Sequence, residues 1–265
     1  MLRQSSPAKP GDLFAMARYA RAMIHIATAP WAHYLGDAAV WAGAAATGWW
    51  VRTRFPARIA ALANQTSASY FVALALGGLA GAWLFGSLNT LRSAAPVLSH
   101  SVAGALAGAI VAVEIWKWRM GIRQSTGVPF VLPIAVGIAI GRWGCLFAGP
   151  ADRTYGFPST LPWAVDPGDG IARAPVQIYE SISMALFALF FFLVLRSGKS
   201  WPWRTGFQWL VIFYAAQRFL WEYQKPYPPL LFGLNVFHFL MLGLIAYGLL
   251  WIGRGTEAGR RGARG

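Results

Sequence analysis

The chain has 265 residues, of which 57% are apolar, 15% aromatic and only 12% Asp, Glu, Lys or Arg. Soluble domains carry about 25% charged residues, so a soluble enzyme is excluded, and 14 Trp with 17 Phe exclude a disordered chain. The 23 Lys and Arg stand against 9 Asp and Glu, a net charge of +14, which in a membrane protein points to anionic lipid or phosphate and not to nucleic acid.

Residues 1–32 read as a basic arm. Phe14, Met16, Tyr19 and Met23 alternate with Arg18 and Arg21, a pattern that suits either an interfacial amphipathic segment or a free tail. Seven apolar stretches follow, near 33–51, 69–90, 96–116, 129–148, 177–195, 206–223 and 232–252. Each is long enough for a helix across the hydrocarbon core, which needs roughly 20 residues. The expected fold is therefore all-α: a polytopic membrane protein whose domain spans 33–252. The Gly/Arg-rich residues 253–265 are expected to be a disordered tail.

Basic residues orient the bundle. The loops after the first, third and fifth spans, with the C-terminal tail, carry 13 of them, and the opposite side with the N-terminal arm carries 8. This places the N-terminus outside and the C-terminus in the cytoplasm. The long loop 149–176 then lies outside, and loops of that length tend to be functional. A single cysteine, Cys145, leaves no disulfide framework and no zinc cluster, so no metal or cofactor is expected.

Six ionisable residues fall within the spans: Asp37, Glu114, Arg142, Glu180, Arg218 and Glu222. Facing lipid, such a group costs roughly 2.5–3.5 kcal/mol, so each must face the bundle interior, a wet cavity or the interface. Arg142 and Arg218 cannot neutralise, and they need Glu180, Glu222 or an anionic ligand as partners. Tyr214, Arg218 and Glu222 follow one another at helical spacing on one face. That stripe serves either a packing ion pair or a site. Gly141 and Gly144 flank Arg142 and let backbone approach a ligand closely, while the guanidinium offers a planar fork suited to phosphate. His100 opens the third span as a candidate base or a structural hydrogen-bonder. Cys145, directly after the arginine motif, reads as a small hydrophobe or a nucleophile. His25, His33 and His238 look interfacial.

Three segments together resemble a known family: GRWGCLFAGPADRTYG (141–156), RAPVQIYES (173–181) and YAAQRFLWEYQKP (214–226). They are similar to the bacterial prolipoprotein diacylglyceryl transferases, over roughly 33–250. The resemblance implies seven helices in the bacterial cytoplasmic membrane, N-out and C-in. It implies transfer of diacylglycerol from phosphatidylglycerol to the lipobox cysteine of a prolipoprotein, with release of glycerol phosphate. Its GRxGN signature falls on Gly141, Arg142 and Gly144, with Cys145 in place of the asparagine. Asp152 and Gly156 match its downstream acidic residue and glycine loosely, with Tyr155 beside them. Its HPxQLYE segment keeps Gln177, Tyr179 and Glu180 but has Ala174 for the histidine. Tyr214, Arg218, Phe219, Glu222, Tyr223 and Lys225 keep the later pattern. The family's third-helix histidine falls on Ala103, with His100 three residues earlier.

The resemblance casts Arg142 and Arg218 as stabilisers of the departing phosphate, the strongest kind of catalytic help in a poorly hydrated site. His100 is the candidate base for the acceptor thiol, with Glu222 or the arginine field as substitutes. Tyr214 and Tyr179 are candidate ligands of phosphate or glycerol. Two other functions remain open at this point: a paralogue with another acceptor, motivated by Ala103, Cys145 and Ala174, and a lipid- or anion-binding protein without chemistry.

Overall fold

The structure is a computed structural model and describes residues 24–91 and 96–262. Residues 1–23, most of the expected arm, and Arg92 lie outside the described residues. A two-residue strand β1 (Ile24–His25) leads into α1 (Ala32–Arg54) and a short α2 (Pro56–Ala63). Then come α3 (Ala68–Thr90), α4 (Val102–Arg119) and α5 (Val131–Ala148), which is entered and left by 3-10 turns at Val128–Phe130 and Gly149–Asp152. After a second short strand β2 (Val165–Asp166) follow α6 (Val176–Arg196), α7 (Pro202–Glu222) and α8 (Val236–Gly262).

A helix occupies each of the seven apolar stretches. Among the described residues, four segments are long and apolar enough to cross a membrane: Ala68–Thr90, Val128–Asp152, Val176–Arg196 and Val236–Arg254. The chain is a mostly helical membrane protein. Local chemistry sets the ends. α4 starts at Val102, later than the apolar run, because the Ser101 hydroxyl accepts from the Gly104 N–H at 2.8 Å and caps it there. Prolines Pro56 and Pro202 sit in the first turns of α2 and α7, where their missing N–H costs nothing. α8 differs from expectation at its end. Its backbone stays helical to Gly262, so the tail expected from 253 onward continues the helix.

The helices do not pack in chain order. α5 lies between α1 and α6, α7 between α6 and α8, and the α3–α4 pair leans on α8. Small residues bring the pairs close. Gly81 of α3 meets Gly104 and Gly108 of α4 backbone to backbone, and Gly36 of α1 meets Gly144 of α5 in the same way. Fully buried Val131, Ala135, Met184, Phe191, Leu210, Val211, Ala215 and Met241 form the centre. Trp41, Leu76, Leu186 and Leu250 point outward from four different helices, as lipid-facing positions do when lipid is the solvent.

The segment after Ala148 is folded onto one end of the bundle. β1 and β2 pair in parallel, Ile26 N–H donates to Asp166 O at 3.1 Å and Ala29 N–H to Phe147 O at 2.8 Å. The stretch preceding α1 is thereby tied to the 149–175 loop. Asp166 anchors this tie: Oδ1 accepts from the N–H groups of Gly168, Asp169 and Gly170, and Oδ2 meets His25 Nδ1 at 3.0 Å. Burial alone would raise its pKa, but the N–H groups of Gly168 and Gly170, with His25, outweigh burial and hold it below the ordinary carboxylate range.

Candidate active site

Glu180 is the hub. It lies in the first turns of α6 with no exposed surface. Its Oε2 meets Arg142 Nε of α5 at 2.7 Å, and its Oε1 meets both Arg218 Nη1 of α7 at 2.5 Å and Lys225 Nζ at 3.0 Å. Arg218 also reaches one turn along α7, from Nη2 to Glu222 Oε2 at 3.0 Å. The second Glu222 oxygen accepts from Asn235 Nδ2 at 3.0 Å. All five ionic groups are buried, Arg142 the least so at 8% exposure.

Two properties of this cluster matter chemically. Three cations face two carboxylates, so one positive charge is in excess. Buried charge is tolerated only when paired, and the excess therefore calls for an anion. The cluster also holds donors with nothing to donate to. Tyr214 Oη and Arg218 Nε are buried and have no hydrogen-bond partner among the described residues. A buried unsatisfied donor costs about 1–3 kcal/mol, so these groups are poised for a ligand's acceptor oxygens. A phosphate diester supplies both the charge and the oxygens.

An apolar groove of about 320 Å³ opens on the same helices. Ala46, Thr47 and Trp50 of α1, Leu132 and Val136 of α5, and Ala188 and Phe192 of α6 line it. Val136 precedes Arg142 by about 9 Å along α5, and Ala188 follows Glu180 by about 12 Å along α6. The groove thus begins about 9–12 Å along these helices from Arg142 and Glu180 and extends toward the opposite end of the bundle. Its lining is apolar enough for an alkyl chain.

The remaining sequence candidates divide. Gly141 and Gly144 act on packing: a Cβ at Gly144 would press into Gly36, and one at Gly141 would lie 3.2 Å from Val40. Cys145, one turn after Arg142, has its Sγ 3.9 Å from Arg142 Nη1. Asp152 meets His33 Nδ1 at 3.2 Å and accepts from Thr154 Oγ1 at 2.5 Å. Gln177 is buried at the start of α6. Tyr155 and Gly156 belong to the loop, where Arg173 stacks on the Tyr155 ring at 4.5 Å and donates to Gly156 O at 3.4 Å. Tyr179 is turned to the loop as well, its hydroxyl accepting from Trp163 Nε1 at 2.7 Å.

His100 does not join the cluster. It is exposed just before α4, with its ring 5.8 Å from that of Trp83. Ala103, at the register of the family's histidine, is buried against the core and offers only a methyl group. Glu114 is also separate, paired with Lys117 at 2.9 Å and accepting from Tyr247 Oη at 2.9 Å. Two residues had looked peripheral in the sequence. Lys225 was counted with the loops but is 2% exposed, and His238 is equally buried and caps α8 with Asn235. The sequence signal for Lys225 is its place in the family pattern after Arg218 and Glu222.

The family model for prolipoprotein diacylglyceryl transferases matches residues 37–253. This chain belongs to that family. It is 29% identical over 224 residues to the phosphatidylglycerol–prolipoprotein diacylglyceryl transferase of Nitratidesulfovibrio vulgaris, a match that covers 78% of both chains. It is 34% identical over 93 residues to the enzyme of the same name from Finegoldia magna, covering 35% of this chain and 36% of that one. No solved structure matches it. The chain is thus a membrane transferase of the diacylglyceryl transferase family.

Proposed function

We propose that this protein transfers the diacylglyceryl group of phosphatidylglycerol to the lipobox cysteine of prolipoproteins, in a bacterial cytoplasmic membrane. The N-terminus and the 149–175 loop face outward, where a translocated acceptor arrives, and the C-terminus faces the cytoplasm. All seven long helices cross the membrane. The observation that carries this reading is the unbalanced cluster: three buried cations, two carboxylates and unpartnered donors beside an apolar groove.

In this scheme one acyl chain enters the groove between α1, α5 and α6. The phosphate settles against the guanidinium groups of Arg142 and Arg218, with Lys225 adding charge and Tyr214 Oη a hydrogen bond. The acceptor thiolate attacks the glyceryl carbon, a C–S bond forms, and the C–O bond to phosphate breaks. The departing glycerol phosphate gains a second negative charge. The cluster's excess positive charge stabilises that developing charge more than the ground state, which is what acceleration requires.

The test uses purified protein with vesicles containing phosphatidylglycerol and a lipobox peptide. The peptide is expected to gain one diacylglyceryl mass for each glycerol phosphate released, and Arg142→Ala to abolish both. Lipid binding without release would refute transfer. One observation favours a second reading, an enzyme on this scaffold with another acceptor: buried Ala103 leaves the family's base position empty. Failure to support lipoprotein maturation in cells depleted of their own enzyme, with phospholipid turnover intact, would select it.

A further inference from the structure

The absence of a base at Ala103 leaves the acceptor thiol without an obvious activator, and the fold places an unusual set of side chains where one is needed. Cys145 follows Arg142 by three residues on α5. His33, at the start of α1, reaches it because Gly36 and Gly144 let the two helices touch backbone to backbone. Asp152 arrives from the 3-10 turn that ends α5. One ligand-type atom from each of the three lies within 4.8 Å of the others.

The details around this cluster suit a cation. His33 Nδ1 is a buried atom 3.2 Å from Asp152 Oδ1, yet it makes no hydrogen bond there. An imidazole nitrogen and a carboxylate oxygen, both ligand-type atoms, thus face each other across a small gap. The other Asp152 oxygen is held by Thr154 Oγ1 at 2.5 Å, which fixes the carboxylate with Oδ1 toward the gap. The far nitrogen of His33, Nε2, lies 3.8 Å from the Asp37 carboxylate. A carboxylate behind the imidazole and a hydrogen bond behind the carboxylate are the outer contacts that orient metal ligands. Arg142 Nη1 lies 3.9 Å from Cys145 Sγ. Thiolate, imidazole and carboxylate together select zinc over magnesium or calcium. Tetrahedral zinc needs its ligands about 3.4–3.8 Å apart, so side-chain movements of about 1 Å close the set. Three protein ligands leave the fourth position open, as in catalytic zinc sites.

We propose that His33, Cys145 and Asp152 form a zinc site that binds and activates the acceptor cysteine. This rests on the transferase reading above. The acceptor thiol takes the fourth position and loses its proton to water past the exposed Asp37, since a coordinated thiol is deprotonated outright. The metal-held thiolate donates its electron pair to the glyceryl carbon of the lipid at Arg142, a C–S bond forms, and glycerol phosphate leaves with the electrons of the broken C–O bond. The new thioether is a weak ligand and departs, leaving the site ready for another thiol. The metal takes over the base's task, and the cysteine in place of the signature asparagine supplies its thiolate ligand.

The experiment uses the full chain in detergent, stripped with a chelator and titrated with Co2+ and Zn2+. The wild type should bind roughly one metal per chain and show the thiolate-to-cobalt charge-transfer band. Cys145→Ser and His33→Ala should lose that band while keeping their thermal unfolding transition and phosphatidylglycerol binding. Thr154→Val should weaken metal affinity by about 10–100-fold. Stripping should lower lipobox-peptide modification on the order of 100-fold, and zinc should restore it. No cobalt band in the wild type, or a band that survives in Cys145→Ser and His33→Ala, overturns the site. Metal bound at the site with peptide modification unchanged by stripping overturns its role in activation. Metal bound as described with no transfer under any condition leaves the site standing and refutes the transferase reading.

Discussion

Removing Glu180 tests the electrostatic design of the cluster. Glu180→Gln keeps the shape but leaves Arg142, Arg218 and Lys225 with Glu222 as the one remaining carboxylate. The wild-type contacts are 2.7, 2.5 and 3.0 Å long. At an effective dielectric of about 20, unit charges about 3 Å apart attract by roughly 5 kcal/mol each. Most of that gross attraction offsets the desolvation of the buried ions. Breaking a buried pair on one side costs about 3–5 kcal/mol, and the net loss here should fall in that range. Equilibrium unfolding in mixed detergent, followed by Trp fluorescence, measures it. A second arm makes the result specific: Glu180→Gln/Arg218→Met removes one charge of each sign and should recover part of the loss, as a double-mutant cycle reveals. Wild-type stability in the single variant, or no recovery in the double variant, would refute the electrostatic account.

Tyr214→Phe removes a buried hydroxyl that has no hydrogen-bond partner among the described residues, so stability should hold while KM for phosphatidylglycerol rises about fivefold to tenfold, the worth of one hydrogen bond. A lost fold or an unchanged KM would contradict that. Gly144→Ala forces a methyl into Gly36 and should cost about 1–3 kcal/mol by overpacking, read as a lower unfolding midpoint; an unchanged midpoint would mean that α1 and α5 are not in close contact. Asp166 has its folded pKa held below its unfolded value, so it stabilises the β1–β2 tie above the ordinary carboxylate pKa of about 4, and that stability fades as pH falls through the lower folded value. Hydrogen exchange at residues 24–28 should therefore rise in acid, and Asp166→Asn should remove the pH dependence; a flat profile in the wild type would contradict the sign.

Legibility in the sequence followed the range of the interaction. Arg218 and Glu222 share a helix, so their pairing was readable from a spacing of four. The need of Arg142 for a carboxylate was equally clear, because an unpaired charge cannot face lipid. That Glu180 would serve Arg142, Arg218 and Lys225 together was not readable, since it depends on how α5, α6 and α7 meet. Lys225 looked like a loop residue because nothing local says that the chain after α7 folds inward. The different placements of His100 and His33 have the same reason. Each opens a helix, but only the close approach of α1 to α5 carries His33 beside Cys145. The helices themselves were placed to within a few residues, except where Ser101 delays α4 and where α8 continues through the basic tail.

In the proposed reaction the unbalanced cluster holds the phosphate of the lipid donor. A density map of the protein in phosphatidylglycerol nanodiscs tests it most directly. A head-group phosphate is expected about 3 Å from the donors of Arg142, Arg218 and Tyr214, with an acyl chain running into the groove beside Val136 and Ala188. A head group bound elsewhere, with the cluster closed and empty of phosphate, would contradict it.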